Sequence, residues 1–155
     1  MIDLEKFEKK KTKKKIKNYL WYLFNNLIFN SFLPFSTLKV FLLRLFGAEI
    51  GRNVLIKPYV KIKYPWNLKI HDNCWIGEEV WIDNLAEVVI KKNCCISQGV
   101  YLCTGSHDFK SEKFDLITKG IAIEESSWLG AKSIICPGVT IKKNSFVKVG
   151  EIIKY

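Results

Sequence analysis

Residues Ile90–His107 read IKKNCC, ISQGVY and LCTGSH, three blocks of six that open on Ile90, Ile96 and Leu102. The frame continues outward on both sides. Upstream it starts blocks at Ile50, Ile56, Ile62, Ile70, Ile76 and Ile82, and downstream at Ile123, Leu129, Ile135, Ile141, Val147 and Ile153. All fifteen first positions are Ile, Leu or Val. Fourth positions carry a second signal: Asn53, Asn73, Asn93, Asn144, Gly99, Gly105, Gly138 and Gly150 fill eight of fourteen places. Asn and Gly tolerate positive φ, so each block predicts a short strand followed by a tight corner. Three such strands per turn make a triangular prism, with first-position side chains stacked inside as aliphatic ladders. The expectation is an all-β solenoid, a parallel β-helix of about five coils over residues 50–153. Ile76, Ile96, Leu129 and Ile141 should point inward.

The chain has 155 residues, one domain's worth, and its 48% apolar content is enough for a core. Its net charge of +10 is uneven: residues 1–17 hold eight lysines against three acids. Such a tail reads first as solvated, next as attracted to an anionic membrane surface. Nucleic acid comes last, because the aromatics that follow read as packing surface and not as a stacking platform. Tyr19–Leu33 is apolar but short, and Asn25, Asn26 and Asn30 interrupt it, so it should not span a bilayer. After Pro34, Leu38, Phe41, Leu42 and Leu45 fall on one helical face, and Gly47 ends the pattern. The predicted division is a basic tail and apolar helical leader over 1–47, then the repeat domain over 48–155. The leader should cap the open end of the prism or lie in a membrane interface. The five cysteines form no CxxC and have no histidines at ligand spacing, which suits free thiols in a cytoplasmic protein. Cys74 and Cys94 fall at inward repeat positions.

This pattern is the hexapeptide repeat, and the chain resembles the left-handed β-helix acyltransferases. It is most similar to the bacterial acetyltransferases of exopolysaccharide synthesis typified by the colanic acid enzyme, with maltose, galactoside and nodulation-factor acetyltransferases as relatives. The resemblance covers about residues 40–150 and rests on Val80–Ile90 (VWIDNLAEVVI), Cys95–Asp108 (CISQGVYLCTGSHD) and Trp128–Ile141 (WLGAKSIICPGVTI). The leader ending LLRLFGAEIG, Leu42–Gly51, also looks like this group. Left-handedness is implied by the resemblance.

The resemblance implies an acetyl-CoA-dependent O-acetyltransferase with no metal requirement, acting on a sugar hydroxyl of an exopolysaccharide, capsule or related glycan. His107, ending the TGSH block, takes the position of the general base. Its chemistry suits the part, since the acceptor alcohol must lose a proton near neutral pH while the thioester is already activated. His71 is a second-position residue and should point outward. The frame is lost over Asp108–Ala122, an excursion that in relatives walls the active site against a neighbouring subunit. Asp83 and Asn84, about one coil earlier, are the acceptor-binding candidates. Gly130 and Ala131, with Val149 and Gly150 one coil later, are the coenzyme-binding candidates, and a backbone N–H near Gly130 is the candidate oxyanion donor. The end departs from the family: it reads VKVGEIIKY, and Glu151 at an inward position should fray the last half-coil.

The implied partners are two further copies in a homotrimer and a sugar, nucleotide-sugar or lipid-linked glycan acceptor. The basic and apolar N-terminus adds a candidate peripheral contact at the inner face of the membrane. No nucleic acid is expected. The rival from another class is a non-catalytic scaffold or membrane-attached binding protein with an incomplete coenzyme site. A zinc enzyme on the same fold needs three histidine ligands, and the chain has two histidines.

Overall fold

Three parallel sheets of five strands wall a triangular prism in the computed structural model, which describes residues 15–154. The first coil is β1 (Glu49–Ile50), β2 (Leu55–Ile56) and β3 (Lys61–Ile62); the second is β4 (Leu68–Ile70), β5 (Trp75–Ile76) and β6 (Trp81–Asp83). The third is β7 (Val88–Ile90), β8 (Cys95–Ile96) and β9 (Tyr101–Cys103). A hairpin, β10 (Gly105–His107) and β11 (Leu116–Thr118), then leaves the prism. The fourth coil is β12 (Ile121–Ile123), β13 (Trp128–Leu129) and β14 (Ile134–Ile135). The fifth is β15 (Thr140–Ile141), β16 (Phe146–Val147) and β17 (Ile152–Ile153). Strand register aligns the first positions into the predicted ladders. Ile56, Ile76, Ile96, Leu129 and Val147 are successive partners in the second sheet. Ile76, Ile96 and Leu129 are fully buried, and Ile141 is 5% exposed.

Corners follow position more strictly than residue type. Eleven of the fourteen fourth positions have positive φ, including Tyr59, Glu79, Ser126 and Lys132. At one corner Asn53 Nδ2 donates to Asn73 Oδ1 at 3.0 Å, and Asn73 Nδ2 to Asn93 Oδ1 at 3.1 Å. These amides link three coils through side chains that already suit the left-handed backbone. Gly105 is an exception, because it belongs to a hairpin strand.

The excursion differs from the expected 108–122. It begins at Gly105, and Ile121, expected inside the loop, is 2% exposed and pairs with Val88. The reason lies in two earlier blocks of eight, where Leu68 and Val88 lengthen the first-sheet strand by an inward residue. Ile121 takes the same place. The last half-coil is closed where fraying was expected. Strand β17 pairs with β14, and the half-buried Glu151 carboxylate accepts the Lys148 N–H at 2.8 Å.

The leader forms helix α1 (Lys15–Phe24), a π turn (Asn25–Phe29) and helix α2 (Ser36–Leu45). The lysines before Lys15 lie outside the described residues. Trp21, Phe29, Leu42, Leu43 and Phe46 join the prism core, so one core serves leader and coils. First-coil backbone groups find leader partners: Trp21 Nε1 donates to the Ile62 carbonyl at 2.8 Å, and Arg44 to that of Ile50. Ser36 Oγ accepts the Ile56 N–H.

Helix α2 shows a reversal. Leu38, Phe41 and Leu45 face outward, and Lys39 is buried, its Nζ donating to the Lys57 carbonyl at 2.9 Å. Burial holds the Lys39 ammonium below its usual 10.5. The folded state therefore binds fewer protons than the unfolded state between the lowered value and 10.5. Stability contributed at this site rises with pH across that window. The parent chain should gain stability relative to Lys39→Met as pH is raised towards 10.5. Unfolding at a series of pH values checks this, and parallel curves for the two proteins would contradict it.

Candidate functional site

His107 sits outside the prism on β10 and does not close a coil, as its block had suggested. It pairs with Leu116 across the hairpin and is half-buried. Its Nδ1 lies 2.9 Å from the Phe114 carbonyl oxygen, and the two rings stack with centroids 4.3 Å apart and planes 11° off parallel. A carbonyl can only accept, so Nδ1 carries the proton and Nε2 holds the lone pair of the neutral ring. Phe114 adopts φ +49°, an uncommon conformation for a bulky residue. The loop holds it there: the Phe114 N–H donates to the Ser111 carbonyl, Ser111 Oγ to Asp115, and the Asp108 N–H to the Asp115 carbonyl. The hairpin fixes one imidazole in one tautomer beside the third sheet.

Asp83 and Asn84 are neighbours in sequence with opposite fates. Asp83 is on the outer face of β6, with Lys63 Nζ 2.9 Å from Oδ1 and the Tyr101 hydroxyl donating to Oδ2 at 3.2 Å. Burial and the neighbouring Cys103 and Asp83 push the Tyr101 hydroxyl pKa up, so it stays a proton donor. The Asp83 carbonyl accepts from both N–H and Oγ1 of Thr104, where the hairpin departs. Asn84 is fully buried. Its amide bridges the Tyr64 N–H and carbonyl and the Asn67 carbonyl, clamping two long corners together. That corrects its reading as an acceptor ligand, because its polar atoms are committed inside the protein.

Asp83 lines a cleft between leader and third sheet, with Asn25, Asn26, Asn30, Lys63 and Trp81. Trp81 is 44% exposed and stacks on Tyr101 at 4.6 Å. The cleft escaped the sequence reading because its two walls, residues 25–30 and 61–83, come from separate stretches of the chain.

Gly130, Ala131, Val149 and Gly150 line one edge of the prism, between the second and third sheets; the Gly150 N–H donates to the Ala131 carbonyl at 2.9 Å. Gly130 is small for the prism's own sake. A Cβ there would lie 2.7 Å from the Val147 oxygen and the Val149 nitrogen of the next coil. Its N–H donates to the Val147 carbonyl at 2.8 Å, which removes it as an oxyanion donor. Gly150 is open, with nothing within 4 Å of a built Cβ, and Val149 is 71% exposed. This edge and the His107 hairpin flank opposite margins of the third sheet, roughly five strand residues or about 15 Å apart.

His71 is exposed beside Asp72. All five cysteines are free; Cys74 and Cys94 are buried and donate to the Lys91 and Glu124 carbonyls. Among the described residues, no cluster of three His, Cys, Asp or Glu is placed to hold a metal.

A hexapeptide-repeat acetyltransferase from Vibrio cholerae, solved with acetyl coenzyme A, superposes with a TM-score of 0.81 over 99% of this chain and 88% of its own, at 21% identity. The chain is a hexapeptide-repeat left-handed β-helix. A galactoside acetyltransferase solved with coenzyme A shares this hexapeptide-repeat fold at TM-score 0.73 and 26% identity, over 88% of this chain and 68% of its own. In sequence, the chain is 48% identical over 109 residues to WcaF of Escherichia coli, assigned to colanic acid biosynthesis as an acetyltransferase. That match takes in 70% of this chain and 60% of the relative, so the chain spans little more than half the length of the curated protein. No protein-family model matches the chain.

Proposed function

We propose that the chain is an acetyl-CoA-dependent O-acetyltransferase that modifies a sugar hydroxyl in exopolysaccharide, capsule or related glycan synthesis. The observation that carries this reading is the His107 imidazole, held with its Nδ1 2.9 Å from the Phe114 carbonyl oxygen. In the proposed reaction, Nε2 takes the proton of the acceptor hydroxyl as its oxygen attacks the thioester carbonyl carbon. The carbon–sulfur bond then breaks, and the proton passes to the departing coenzyme A thiolate. No enzyme nucleophile is needed. The acceptor fits the cleft beside Asp83: the exposed Trp81 face offers a sugar ring a stacking surface, and Asn26, Asn30 and Asp83 offer polar partners. The open edge at Ala131, Val149 and Gly150 suits close approach of the coenzyme.

The working assembly in this reading is a homotrimer in the cytoplasm. Separation of His107 from the coenzyme edge supports it, since a rotated neighbour can supply what one chain holds apart. So do the apolar outer faces, where Trp75, Trp128 and Phe146 on the second sheet and Trp81 and Ile152 on the third are all exposed. The test is acetyl-CoA turnover against a panel of nucleotide sugars and oligosaccharides, with coenzyme binding measured separately. Acetyl transfer to a hydroxyl is the expected result. A chain that binds no coenzyme A would leave the scaffold reading in its place.

A further inference from the structure

The leader is apolar on two sides, and the prism covers only one. In α1 and the π turn, Trp21, Phe24, Ile28 and Phe29 turn towards the core. A second stripe, Ile16, Leu20, Leu23 and Leu27, follows the helical spacing i, i+4, i+7, i+11 and faces away. These side chains are 77%, 43%, 38% and 68% exposed. Helix α2 repeats the design: Leu42 and Leu43 are buried, while Leu38, Phe41 and Leu45 project outward. Phe32 and Phe35, in the connection, are also exposed. Surface apolar residues scattered singly need no explanation, but two helical stripes within thirty residues do.

Charge narrows the choice of what covers them. Residues 9–48 contain nine of the chain's 25 basic residues and none of its 15 acidic ones. The rest of the chain holds sixteen basic against fifteen acidic residues, close to neutral. Almost the whole positive excess is therefore attached to the segment with the uncovered apolar stripes. A second copy of the same face would set one basic excess against another, since residues 1–48 hold ten basic and three acidic residues. A negatively charged surface with an apolar layer beneath it satisfies both features at once. No helix among the described residues is long and apolar enough to cross a membrane, and α1 is only ten residues.

We propose that α1, the π turn and α2 form a docking face for an anionic phospholipid bilayer. The outward stripes enter the headgroup boundary. The same leader supplies Asn25, Asn26 and Asn30 to the Trp81 cleft, so docking sets that cleft beside the headgroups. Membrane binding of this kind is separate from acetyl transfer and is measured without it.

The experiment is flotation of the full chain with two kinds of vesicle, phosphatidylcholine alone and phosphatidylcholine mixed with phosphatidylglycerol. The chain should float with the mixed vesicles, much less with the neutral ones, and be released by salt. The double variant Phe41→Ser/Leu45→Ser should bind the mixed vesicles about 100-fold more weakly. Its circular dichroism should match the parent, since both side chains face outward. Glutamine at Lys9, Lys10, Lys11, Lys13 and Lys14 should weaken binding to the mixed vesicles only. The comparison of the two vesicle types with the parent chain stands even where a variant misfolds. The proposal is overturned by no flotation with mixed vesicles, or by equal flotation with both. It is also overturned if the Phe41→Ser/Leu45→Ser variant loses oligomer mass but not vesicle binding, which would assign the face to a second copy.

Discussion

His107→Ala is expected to lower kcat by about 10²–10⁴-fold, the usual worth of a positioned general base. The loss should fall on kcat and not on acetyl-CoA affinity. Coenzyme contacts are proposed at Ala131, Val149 and Gly150, across the third sheet from the imidazole. The geometry makes this sharper than a generic histidine deletion. Nδ1 is committed to the Phe114 carbonyl at 2.9 Å, so the neutral ring presents its basic nitrogen in one direction only. Glutamine at 107 has no group that titrates near neutral pH, and it should be as inactive as alanine. Residual turnover in both variants would reflect positioning of the two substrates alone. Steady-state rates and coenzyme titrations on the parent and both variants decide the matter. Full turnover in His107→Ala would remove the base assignment.

What was legible in advance depended on how local each constraint is. First-position aliphatics announce the prism because every coil needs the same inward residue for its neighbours above and below. Corners were only partly legible. Asn73 and Gly99 favour positive φ by themselves, whereas Tyr59 and Lys132 adopt it because the ladders on either side leave no other path. Asn84 shows the limit of counting along the strand. It looked like a surface neighbour of Asp83, but the long blocks place its amide inside, where Tyr64 and Asn67 saturate it. His107 was visible as a residue, yet its partner Phe114 is set by hairpin register and a strained loop residue, neither of which leaves a periodic signal. In the leader the helical spacing was plain. Which face turned inward was not, because both faces of α1 are apolar and Lys39 goes to the interior of α2.

The second large effect concerns where one site's parts come from. Ala131→Trp should abolish acetyl-CoA binding while sparing the fold, because residue 131 lies at an outer corner and not in a ladder. Alone it should be as inactive as His107→Ala, for a different reason. If a site takes His107 from one chain and the Ala131 edge from the next, mixing the two inactive proteins should restore activity. Random assembly in equal amounts would give about a quarter of the sites two intact contributions. The hairpin and the coenzyme edge flank opposite margins of the third sheet, which is why a shared site is expected. The measurement is co-refolding or co-expression of the two variants, followed by turnover, with each variant refolded alone as the control. Recovery near a quarter of parental activity supports a shared site. No recovery from stable mixed oligomers would mean that each chain builds its own site, and the proposed coenzyme edge would then be misplaced.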